Sequence, residues 1–120
     1  MKPIAATKRV SDPTEIRFGE RFKVDLPVKL DAGEGLAGDG MMCDISISGA
    51  FIETSLELPV FTNLEVSLPA RESLPARKLA ACVVRQSPYG VAIEWRDMAC
   101  ATLMAVLRKA RQDAGIQPTA

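Results

Sequence analysis

The stretch "RFGERFKVDLPVKL", residues 17–30, decides the fold. From Phe22 onward the even positions are Phe22, Val24, Leu26, Val28 and Leu30, while the odd ones are Lys23, Asp25, Pro27 and Lys29. A period of two marks a strand with one face in a core and the other in water. The pattern predicts a strand over about 21–31. Pro27 has no N–H to give to a ladder, so part of this strand should be edge-like or bulged. At its entrance stand Arg17 and Arg21, four residues apart, where solubility alone would accept lysine or glutamate.

Downstream, "DAGEGLAGDG" (31–40) reads as a Gly-rich turn. Short strands follow at "MMCDIS" (41–46), "GAFIETS" (49–55), "LEVSLP" (64–69), "KLAACVVRQ" (78–86) and "GVAIEW" (90–95), with "SPYG" (87–90) as a turn. Six short strands separated by Gly, Pro and Ser turns predict a mainly β fold, an antiparallel barrel or sandwich, with added α structure. At Asp97 the period changes. The run "DMACATLMAVLRKARQDAG" predicts a helix over about 98–114, with Asp97 as N-cap and Gly115 at C′. Leu103, Leu107 and Ala110 share one face, with Met104 beside them, and this stripe should pack on the sheet. Arg108, Lys109 and Arg111 lie near the end where the helix dipole favours cations. Residues 1–16 have no period and read as a flexible arm; 116–120 read as a disordered tail.

Composition narrows the function. A chain of 120 residues is one domain. It is long enough to bury roughly 65% of its unfolded surface without a metal or disulfide staple. Fifteen basic residues balance fifteen acidic ones, which argues against a general duplex-DNA partner. A single-stranded nucleic-acid barrel needs stacking aromatics on one face, yet aromatics are few, and Phe22, Phe51 and Trp95 read as core. The absence of histidine removes Ser-His-Asp and Cys-His catalysis and most zinc sites. Cys43, Cys82 and Cys100 form no CxxC pair and read as small core residues in a reducing compartment. No enzyme, cofactor or metal site is expected. The N-terminus lacks the apolar segment of a secretory signal, and no apolar run approaches the roughly 18 residues of a span. The expectation is a cytoplasmic protein without membrane insertion.

A second stretch answers the question raised by the arginines. In "DISISG" (44–49), Asp44 and Ser46 are two apart and share a strand face, while Cys43 and Ile45 share the other. With the apolar pair inward, the carboxylate and hydroxyl face outward, as Arg21 does on the first strand and as Arg17 does if the chain stays extended upstream. If the two strands are neighbours, four polar side chains converge on the outer wall. Gly49, lacking a Cβ, lets the backbone turn tightly or a ligand approach closely. Arginine pairs bidentately with phosphate or with guanine O6 and N7 and stacks on bases. A carboxylate accepts from the N1–H and N2–H₂ edge of guanine. The set suits a guanine nucleotide carrying phosphates.

Arg17-x-x-x-Arg21 followed by Asp44-x-Ser46-x-x-Gly49 resembles the RxxxR and (D/N)xSxxG motifs of the PilZ domain. The resemblance covers about Arg17 to the final helix. It implies a six-stranded antiparallel β-barrel (about 21–95) with a C-terminal helix (about 98–114), together a domain over 17–115. It also implies a receptor for cyclic di-GMP, a bacterial second messenger. In that family the arginines clasp guanine and phosphate as the N-terminal arm folds over the ligand, and the aspartate and serine complete the site. Those roles fall on Arg17, Arg21, Asp44, Ser46 and Gly49. Members with a third arginine just before RxxxR bind an intercalated ligand dimer; here Ile16 holds that place, so one ligand molecule per chain is expected, unless Lys8 or Arg9 replaces the missing cation. Output should pass through an unidentified effector protein, in motility, attachment or polysaccharide export. The alternative is an adaptor that docks on pilus or secretion machinery without binding the nucleotide.

Overall fold

The structure, a computed structural model, describes residues 19–70, 75–98 and 100–115, with the side chains of 114 and 115 excepted. The expected arm (1–16, with Lys8, Arg9 and Ile16), Arg17 and the tail (116–120) lie outside the described residues. Six strands and one helix follow in chain order: β1 (Phe22–Asp31), β2 (Ala37–Ile45), β3 (Gly49–Glu53), β4 (Asn63–Leu68), β5 (Arg77–Ser87), β6 (Gly90–Trp95) and α1 (Ala101–Gly115). The strands close into a barrel in the order β1-β2-β3-β6-β5-β4, every neighbouring pair antiparallel. The barrel alternative is the one realised.

Alternation fills the inside. Phe22, Leu26, Val28 and Leu30 of β1 are buried with Ile45, Ile52, Val66, Val83 and Ile93 from the other strands. β1 pairs with β4 only over Lys29–Asp31, so its upstream half has no strand neighbour on that side. Pro27 falls within this half, paired only with Met41 of β2, and a register shift between Lys23 and Leu26 adds the expected irregularity. Helix α1 covers the gap. Its Val106 and Ala110 meet Val24, Leu26 and Leu68 around one cleft, while Leu103 and Leu107 are fully buried.

Three expectations are corrected. The turn after β1 is shorter than the Gly-rich run, because Ala37–Gly40 already belongs to β2. A Cβ on Gly40 would lie 2.6 Å from Ile52 Cγ2, so glycine there reflects close approach to β3 rather than a bend. The helix begins at Ala101, not 98, and its N-cap is Cys100 rather than Asp97. The Cys100 carbonyl accepts Met104 N–H at 2.9 Å, and its Sγ accepts Leu103 N–H at 3.5 Å.

Two of the three cysteines are not core. Met42 pairs with Ile52 and Asp44 with Phe51, so the register slips at Cys43. This β-bulge sends both Met42 and Ile45 inward and leaves Cys43 on the outside. Partial burial, with Glu53 close by, pushes the Cys43 thiol above its ordinary range. Cys82 faces outward between buried Ala81 and Val83; only Cys100 packs on the core. Phe22 and Trp95 are buried as expected. Phe51 is not: it lies between inward Ala50 and Ile52, is half-buried, and does not join the core cluster.

Candidate functional site

Residues Ser46–Ser48 connect β2 to β3, and Ser46 organises the connection. Its N–H donates to the Gly49 carbonyl at 2.8 Å. Its hydroxyl accepts the N–H groups of Ser48 and Gly49, each at 3.2 Å, and donates to the Gly49 carbonyl at 3.3 Å. A serine hydroxyl that satisfies backbone groups two and three residues on is a turn-former by chemistry. Trp95 ties this turn to the neighbouring strand: Nε1–H donates to the Ser46 carbonyl at 3.0 Å, and its backbone N–H to the Ser48 carbonyl at 2.9 Å.

Gly49 lets the sheet close. A Cβ there would stand 1.9 Å from the carbonyl oxygen of Ile93 and 3.2 Å from Glu94 Cα, both backbone atoms of β6. The residue is therefore required for strand contact and not for a left-handed turn.

Arg21 joins this platform from the start of β1. Its Nη1 donates to Ser46 Oγ at 2.9 Å, and its Nη2 lies 3.3 Å from Asp44 Oδ1. The same carboxylate oxygen accepts Phe51 N–H at 3.2 Å. Asp44 stands opposite Lys23 on β1 and Phe51 on β3. The Arg21 side chain remains 49% exposed and that of Asp44 32%, so the fork is held at two points while the rest of the guanidinium faces solvent. An ion pair this open contributes little to stability, about 0–1 kcal/mol. What it supplies is orientation.

The structure thus brings Arg21, Asp44, Ser46 and Gly49 to one spot; Arg17 lies outside the described residues. Ser46 departs from the expectation of an outward hydroxyl, being 1% exposed. It holds the turn and the arginine from beneath. Ser48, whose Oγ lies 3.1 Å from Ser46 Oγ, and Trp95 were not singled out by sequence. A serine inside "DISISG" and a tryptophan read as core carry no signal of the backbone groups they meet. Among the described residues no cluster of acidic or cysteine ligands could hold a metal.

Ser46→Ala should therefore act on both turn and arginine. It strands the buried N–H of Gly49 and the part-buried N–H of Ser48, and an unsatisfied buried donor costs about 1–3 kcal/mol. Urea unfolding is expected to register a loss in that range; a loss below about 0.5 kcal/mol would show that the turn does not depend on the hydroxyl.

The PilZ domain family's sequence model matches residues 15–109. No curated protein matches the chain. Among solved structures, the PilZ domain of CeSA from a cellulose-synthesizing bacterium superposes with a TM-score of 0.63 at 16% identity, covering 79% of this chain and 98% of that one. The Bacillus subtilis inhibitor of motility MotI/DgrA gives 0.64 at 17% identity, covering 81% of this chain but half of that protein. An uncharacterized Legionella protein, Lpg0364, gives 0.54 at 16% identity, covering 80% and 98%. At these identities the likeness is one of fold.

Proposed function

The chain belongs to the PilZ domain family, and from that premise we propose that it is a receptor for cyclic di-GMP, acting through a separate effector protein and not as an enzyme. The observation that carries the reading is the Arg21 fork held on Asp44 and Ser46, two residues of the second motif 23 and 25 positions away. An arginine oriented on one edge and open on the other is ready to pair with phosphate or a guanine edge when ligand arrives, with less ordering entropy left to lose. Asp44 offers guanine a carboxylate acceptor, and Ser46 holds the arginine from below.

In this proposal Arg17 and Arg21 compensate the two phosphates, and the segment before β1 orders over the barrel as charge repulsion within it is relieved. That rearrangement alters the surface shown to the effector. Cellulose synthesis and motility, the settings named for two fold neighbours, are the outputs we would examine first. No helix among the described residues is long and apolar enough to cross a membrane.

Ile16 supplies neither charge nor hydrogen bond to a second guanine, so one cyclic di-GMP per chain is the expected stoichiometry. Titration calorimetry on the full chain tests both points. Saturable binding at one molecule per chain is the expected result. A ratio of two would overturn the stoichiometry alone, and absence of binding would overturn the receptor reading.

A further inference from the structure

The outer wall beside Asp44 carries an aromatic that neither motif contains. Phe51 projects outward from β3, half-buried, between Ala50 and Ile52, which point into the barrel. Across one ladder it pairs with Asp44 and across the other with Ala92. Two residues back on the same face is Gly49, which has no side chain. A large ring flanked by a glycine and an alanine is an unusual use of an outer sheet face, where cross-strand neighbours normally cover one another. Here the cross-strand Ala92 and the same-face Gly49 are too small to cover the outer side of the ring.

Charge is divided along the same row. Arg21 and Lys23 stand on the β1 side of Asp44. On the β3–β6 side lie Phe51, Ala92 and, one diagonal away opposite Gly49, the exposed carboxylate of Glu94. Phosphates are drawn to the first side. The second suits an uncharged planar group whose edge carries hydrogen-bond donors. Adjacent strands are about 4.8 Å apart, so a base lying over Phe51 has its edge beside the Asp44 carboxylate.

We infer that Phe51 is the stacking platform for a guanine base of the ligand, with Gly49 and Ala92 providing the clearance and Asp44 reading the base edge. This rests on the cyclic di-GMP reading and adds to it an orientation: base over β3, phosphates toward β1. Base–aromatic stacking requires the π-face, not merely apolar volume.

The test compares wild type, Phe51→Leu, Phe51→Ala and Phe51→Trp by calorimetric titration with cyclic di-GMP, with circular dichroism to verify the fold. Because the ring stands outside the core, the leucine and tryptophan variants are expected to fold. Phe51→Leu should weaken binding about fivefold or more, Phe51→Ala at least as much, and Phe51→Trp should stay within about threefold of wild type. Cross-relaxation between Phe51 ring protons and guanine H8 should appear in the wild-type complex. Unchanged affinity in Phe51→Leu, or no such cross-relaxation, overturns the platform while leaving the receptor reading intact. Failure of wild type itself to bind overturns both.

Discussion

Gly49→Ala should cost the barrel about 3 kcal/mol or more, although the side chain added is one methyl group. Gly to Ala at a compatible site usually stabilises by about 0.4–1 kcal/mol through the unfolded chain. Here the sign reverses. The new Cβ would meet the Ile93 carbonyl oxygen at 1.9 Å and its carbon at 3.0 Å. Those atoms belong to a paired strand and cannot rotate aside as a side chain would. β3 and β6 must separate around the Gly49–Glu94 pair, and the Trp95 bonds to the Ser46–Ser48 turn would go with them. Overpacking of a flexible core costs about 1–3 kcal/mol, and a backbone obstruction lies at or above the top of that range. Domains have only about 5–15 kcal/mol in total. Urea unfolding should show a much lower midpoint, or no cooperative transition. An unchanged midpoint would mean that the β3–β6 contact is looser than described. Loss of ligand binding in this variant would follow from loss of the sheet and would not identify Gly49 as a ligand contact.

The second large effect is the opposite kind, on binding and not on folding. Arg21→Ala removes a partly exposed guanidinium whose ion pair and hydrogen bond contribute about 1 kcal/mol or less to stability, so the unfolding midpoint should barely move. Affinity for cyclic di-GMP should fall at least about tenfold, since a charge-assisted hydrogen bond contributes about 1.5–3 kcal/mol. Arg21→Lys sharpens the test. It keeps the charge and loses the planar fork that spans Asp44 and Ser46, so it should recover only part of the affinity. Full recovery by lysine would mean that charge alone matters and that the double anchoring of Arg21 is incidental.

Much of this fold was legible because alternation and turn chemistry agree. β1 and β6 match their sequence periods nearly residue for residue, and the Ser87–Gly90 turn sits between β5 and β6 as its composition requires. The first half of β2 was illegible for a physical reason: Gly38 and Gly40 have no side chains to alternate, and what crowds them is Ile52 on β3 and Leu56 in the connection that follows it. The bulge at Cys43 broke the parity argument upstream of Asp44: Asp44 and Ile45 keep their expected faces, while the extra residue turns Met42 inward and leaves Cys43 outside. "GAFI" offered apolar residues on both faces, so nothing local told Phe51 from its neighbours.

The site was legible in the same uneven way. Arg21, Asp44 and Ser46 carry polar chemistry in a recognisable order, and they meet as expected. Trp95 reaches the Ser46 carbonyl from 49 residues away. A backbone acceptor leaves no mark on sequence, so that contact could come only from structure.

The receptor account is tested most directly by nitrogen–proton correlation spectra of the full chain, recorded as cyclic di-GMP is added. The account predicts saturable shifts in the segment that carries Arg17, at the Arg21–Lys23 entrance, and at Asp44, the Ser46–Gly49 turn and Phe51, with the far end of the barrel around Phe61 and Tyr89 unmoved. Unchanged spectra at saturating ligand, or shifts centred on that far end, would contradict it.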